Sequence, residues 1–179
     1  MPRLSLLAHR AIRIALLLVV AGGIGLLAHR LKRTDEQVEL ARYVELQLPP
    51  LLEEERSAVE ALDHLLADKT LAAPAARKRL VDDITPRLVH VRRRAEALSP
   101  ATLTVRQLAA QYLLVLDAWT EACRTAIRAI DDPKLSTEAG LLAVKERLID
   151  AAQLSKRFDA EVVHTCQQHR LSPPSASSP

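Results

Sequence analysis

The densest group of potential metal ligands in this 179-residue chain is Glu161-Val-Val-His164-Thr-Cys166-Gln-Gln-His169. Glu161 and His164 have the Glu-x-x-His spacing of di-iron carboxylate bundles, but such a site takes two of these pairs plus two further glutamates. No second pair exists: the residues three before His64, His90 and His169 are Ala61, Arg87 and Cys166. Cys166 and His169 share a helix face, whereas His164 sits well round the helix from Cys166. Two ligands at one helix end need partners elsewhere, and no other segment offers them. The cluster reads as a polar helix terminus with a small core cysteine. Cys-x-x-Cys-His is absent and Met1 is the only methionine, so neither attached haem nor His/Met-ligated haem is expected. No cofactor and no metal are expected.

Hydrolytic chemistry needs a nucleophile, a base within reach and an oxyanion donor. Cys123 falls beside an apolar stripe, one turn from Trp119, where a cysteine is a small inert hydrophobe. Asp82-Asp83 and Asp131-Asp132 are adjacent in sequence, so their carboxylates diverge; they read as a solvated face and a turn. Of the four glycines, Gly22, Gly23 and Gly25 lie together near the N-terminus, leaving Gly140 alone in the rest of the chain. Phosphate loops, dinucleotide fingerprints and nucleophile elbows all need glycine at sharp turns and close approaches. No catalytic activity is expected.

Charge divides the chain. Residues 1–33 carry Arg3, Arg10, Arg13, Arg30, Lys32 and Arg33 and no acidic residue. Of the 25 basic side chains, the remaining 19 oppose 22 acidic ones over residues 34–179, a balance of −3. The pI of about 9.1 therefore belongs to the N-terminal segment. A domain that binds nucleic acid is normally basic itself, to displace counterions from phosphates. This one is slightly acidic, and Tyr43, Tyr112, Trp119 and Phe158 are too scattered for base stacking. Nucleic acid is not an expected partner.

Ile14 to Ala28 is an uncharged, mostly apolar run of fifteen residues, spanning ~22 Å as a helix. Extended back through Arg13, whose guanidinium can snorkel, it makes a short transmembrane helix. Arg10, Arg13, Arg30, Lys32 and Arg33 would then meet the membrane surface. The competing reading is a cleaved signal peptide with small residues at 19–23, releasing a secreted helical domain. The basic cluster directly after the run favours an uncleaved signal anchor. Three Lys or Arg lie on each side, so charge does not orient the span; export of a domain that follows such a segment places the bundle on the extracytoplasmic, periplasmic side. The domain organisation expected is a basic segment 1–13, an anchor 14–28, a basic flank 29–33, a bundle 34–170 and a disordered Ser/Pro tail 171–179.

Elements follow from the prolines. Pro49-Pro50 kinks or interrupts a first helix over 35–68, and Pro86 kinks a second over 74–98. A third runs from Thr102 or Thr104 to Ile130, and a fourth from Ser136 or Thr137 to Arg170. Apolar residues step by three and four: Leu52, Val59, Leu62 and Leu66 in the first, Leu80, Ile84 and Leu88 in the second, Val115 and Trp119 in the third, and Leu141, Leu148 and Phe158 in the fourth. The fold class is all-α: an N-terminal transmembrane helix, then an up-down-up-down antiparallel four-helix bundle with coiled-coil-like packing. Its expected core includes Leu62, Ile84, Val115, Trp119, Leu148 and Phe158. Counting across tight turns sets Trp119 level with Leu148, near Leu62 and Asp82, and puts Cys123 too far from Cys166 for a disulfide. Arg92-Arg-Arg94 reads as complementing the negative end of its helix, with a basic collar against lipid as the alternative.

The function expected is a membrane-anchored interaction or scaffold module without catalysis, its partners the bilayer and an unidentified protein or a second copy. The alternative is a ligand-binding sensor bundle signalling through a separate partner. Arginine excess and abundant alanine suit a GC-rich bacterial genome.

Overall fold

The computed structural model describes residues 35–68, 70–132 and 138–173. The chain divides into two compact units, Met1–Val38 and Glu39–Pro179. Of the first, residues 35–38 are described and are helical. The second holds four helices: α1 over residues 39–67, α2 over residues 73–97, α3 over Leu103–Asp131 and α4 over Glu138–His169. No strand occurs among the described residues, and none of their helices is long and apolar enough to cross a membrane. The anchor expected at 14–28 lies outside the described residues, as does most of the Ser/Pro tail.

The prolines neither interrupt α1 nor α2. Each helix instead widens into a π turn just before them, at Tyr43–Gln47 ahead of Pro49-Pro50 and at Leu80–Ile84 ahead of Pro86. A proline lacks the N–H of its turn, and its ring collides with the carbonyl four residues back. Those carbonyls, on Glu45, Leu46 and Asp82, all lie within the π turns. Widening moves the backbone to i→i−5 bonds, from the Leu48 amide to the Tyr43 carbonyl and from Thr85 to Leu80. The same device thus carries both helices through proline.

α3 is capped from outside. Its N-cap Thr102 makes no side-chain cap bond; the Glu39 carboxylate accepts the Ala101 and Thr102 amides at 2.6 and 2.7 Å. The Thr102 side chain and these amides hold Glu39 below the usual carboxylate range. α4 closes in a Schellman motif, with the Leu171 amide on the Cys166 carbonyl and the Arg170 amide on Gln167. Arg170 takes φ 58° there. Glycine bears that conformation without the Cβ cost, so Arg170→Gly should raise stability by up to about 1 kcal/mol. A higher urea midpoint at unchanged slope is the expected reading; a lower one would show that Arg170 holds the end of α4 through its side chain.

Neighbouring helices run antiparallel, α3 packing most extensively against α4 and next against α2. Arg77–Asp131 and Arg92–Asp117 tie α2 to α3, and Arg94–Glu54 and Arg87–Ser57 tie α1 to α2. These pairs are about half exposed and contribute at most ~1 kcal/mol each. Arg92 and Arg94 are thus engaged with Asp117, Glu96 and Glu54.

The vertical register differs from tight-turn counting. The Trp119 indole donates to Ser155, seven residues beyond Leu148, and it lies beside Glu55, seven before Leu62. On α2 its level is near residue 90, by the Arg92–Asp117 pair, and not at Asp82. Between α2 and α3 the cause is the linker. Leu98 and Thr102 are extended (ψ 114° and 154°), as are Asp68 and Asp132. An extended residue advances ~3.3 Å against 1.5 Å in a helix. A five-residue linker lying along the bundle axis therefore offsets neighbours by one to two turns.

Leu62, Ile84, Val115, Trp119 and Phe158 are buried, whereas Leu148 is half-buried and packs at the edge of the core. In α1 the buried stripe is Leu48, Leu51, Glu55, Ala58, Leu62 and Leu65, so Leu66, assigned above to the core face, is exposed. Leu141 of α4 is exposed as well. Cys123 lies by Thr85 and Cys166 by Glu45, and both thiols are free.

Candidate functional site: a carboxylate-lined groove

One position in the α1 stripe is acidic. Spaced three and four from its apolar neighbours, Glu55 must face inward, and it is only 7% exposed. It lines a groove of about 210 Å³ between α1 and α4, floored by α3. Leu52 and Val59 form the α1 wall, Val115 and Trp119 the floor, and Ser155, Phe158 and Asp159 the α4 wall. Arg56 and Glu60 stand at its mouth.

Packing holds these groups in place. The Tyr112 and Phe158 rings meet at 5.1 Å between centroids, tilted by 31°. The Trp119 indole N–H donates to the Ser155 hydroxyl at 3.0 Å, and Ser155 donates to the Ala151 carbonyl at 3.2 Å. The Tyr112 and Tyr43 hydroxyls are buried without hydrogen-bond partners.

Burial, with the charge of Asp159 in support, pushes the Glu55 carboxyl up to about 7. The Tyr112 hydroxyl, lying close but outside hydrogen-bond geometry, opposes this, as do Trp119 and the Arg56 guanidinium. Desolvation also raises Asp159. Both tyrosines are raised by burial, so they stay neutral donors throughout the physiological range. The groove therefore presents a carboxyl that takes or releases a proton near neutrality, a second carboxylate across from it, and aromatic walls.

A carboxyl tuned to neutrality suits proton transfer, but nothing beside it completes a reaction centre. Ser155, the hydroxyl among the lining residues, already accepts from Trp119 and donates to Ala151. Cys123 lies elsewhere in the core, its thiol pushed up to about 11 by burial. Such an arrangement can hold a ligand.

The residues singled out in the sequence do not converge here, apart from Val115, Trp119 and Phe158. Arg10, Arg13, Arg30, Lys32 and Arg33 lie outside the described residues. At the end of α4, Cys166 is buried, while His164 is exposed and bonds Gln168 at 2.8 Å. No group of three potential ligands is assembled among the described residues. Asp82 and Asp83 are exposed, and Asp131 pairs with Arg77. Glu55 and Asp159 were not anticipated as a site. The available signal was the stripe itself: 48, 51, 55, 58, 62 and 65 are spaced three and four with one carboxylate among them, and Glu55, three after Leu52 and four before Val59, falls on the apolar face of the other stripe as well.

No protein-family model matches the chain, and neither a curated protein nor a solved structure is significantly similar to it.

Proposed function

We propose that the chain is a membrane-anchored helical-bundle interaction module without catalytic activity. Residues 14–28 supply the anchor, Arg10, Arg13, Arg30, Lys32 and Arg33 meet the lipid surface, and the bundle stands on the extracytoplasmic side. The observation that carries the binding role is the outer surface of α4. Leu141, Leu142, Ile149 and Val163 are 64, 55, 45 and 38% exposed. At the helical repeat they fall within an arc of about 100°. Single exposed apolar residues need no explanation, but four on one face of one helix suit a partner, either another protein or a second copy.

Alkaline carbonate extraction with intact-mass measurement, followed by photo-crosslinking in native membranes, tests both halves. The expected result is an unprocessed protein in the membrane pellet, with adducts from a photoreactive residue at 149 and none from one at 124. A soluble species beginning near residue 22 or 24 would remove the anchor. Absence of adducts at 149 would remove the α4 face. The groove at Glu55 favours a second reading, a ligand-binding sensor bundle that signals through a separate partner.

A further inference from the structure

We propose that the groove between α1 and α4 is a binding site for a small organic cation: a protonated primary amine carried on an apolar body. Its purpose rests on the sensing reading; the binding itself does not depend on the anchor.

Charge sets the class of ligand. Glu55, Glu60 and Asp159 line the groove against one cation, Arg56, whose guanidinium also pairs with Glu53 at 3.6 Å. The groups facing Glu55 are Arg56 from its own helix, Tyr112 and Trp119 from α3 and Asp159 from α4. Arg56 is the only cation among them, and it sits at the mouth. An anion entering this groove would meet three carboxylates. A cation would relieve both the burial of Glu55 and its repulsion with Asp159.

Shape and polarity narrow the class. Bare divalent ions take several oxygen ligands, and no such set is assembled among the described residues. Leu52, Val59, Val115 and Phe158 instead offer apolar walls. The groove's volume of about 210 Å³ exceeds the ~150 Å³ that accommodates a benzene ring. An ammonium group has three donors to share between the two carboxylates. A ring or branched chain behind it fills the rest, over Trp119 and Phe158, with the attraction of a cation to aromatic faces added.

The test uses 2-phenylethylammonium chloride, titrated into the full chain and read by the fluorescence of Trp119, the only tryptophan. We expect saturable binding, with 2-phenylethanol, similar in shape but uncharged, at least about tenfold weaker. The ammonium stays protonated from about pH 6 to about pH 8 while Glu55 ionises, so affinity should be about tenfold higher at the upper value. Glu55→Gln and, separately, Asp159→Asn should each weaken binding about tenfold with helical circular dichroism unchanged. Asp159 stands on the rim, so its variant decides the matter if Glu55→Gln fails to fold. Equal binding of the alcohol, unchanged affinity in a folded variant, or no saturation at millimolar concentrations would overturn the site. That failure would leave the anchored module standing, and a soluble, processed protein in the carbonate experiment would leave the site standing.

Discussion

Between about pH 4.5 and pH 7 the bundle should lose about 3 kcal/mol of stability, and Glu55→Gln should abolish most of that slope. Glu55 sits at about 7 in the folded chain because burial disfavours its charge. Unfolded, it returns to the ordinary glutamate value of about 4.3. Over that interval the folded state binds more protons than the unfolded one, so stability falls as pH rises. The protonated form's advantage is complete below the unfolded value and is lost through the folded one; above it, a charge is buried. Asp159, also raised, acts in the same direction. Glu39, Asp68 and Asp131 are held low by hydrogen bonds and ion pairs, so they act in the opposite sense and at more acid pH. Urea unfolding of the full chain at about pH 5 and about pH 8, compared with Glu55→Gln, measures the difference. A slope that survives in the variant would assign the titration to another group.

Trp119→Ala should cost ~3–5 kcal/mol, the usual range for deleting a large buried aromatic. Its indole is 6% exposed, packs into the floor of the groove and donates to Ser155. Alanine removes the bond and leaves a void that Val115 and Phe158 are too constrained by their helices to fill. Trp119→Phe keeps most of the packing and loses the N–H bond, so it should cost only about 1 kcal/mol more than a simple ring exchange. Urea midpoints read by far-ultraviolet circular dichroism separate the two, since the variants lack the fluorophore. A loss under about 1 kcal/mol for the alanine variant would show that α1, α3 and α4 do not close over the indole.

Both predictions turn on an α1 stripe that sequence reasoning nearly, but not quite, read. Leu62 was placed correctly, since it belongs to the i, i+3, i+4 stripe in either drawing. Glu55 was not, because only apolar residues were counted, although it stands four from Leu51 and three from Leu52 and so faces inward in either drawing. Packing decides only the edges of the stripe: it buries Leu51 and Leu65 and leaves Leu66 exposed.

What the sequence by itself determined is the set of four helices, their order and their antiparallel pairing. Proline placement, apolar steps of three and four and short linkers are local properties, and each survives whatever the neighbours do. Residues 80, 84 and 88 were legible as core for that reason. The capping of α3 by a distant glutamate and the register of Trp119 against Ser155 were decided by the tertiary structure alone. Each depends on where another helix sits along the axis, and extended linkers shift that by a turn or more without any mark in hydropathy. The groove follows from the same cause. Glu55 on α1 and Asp159 on α4 are 104 residues apart in sequence, and only helices set at that height and spacing bring two carboxylates to one cavity.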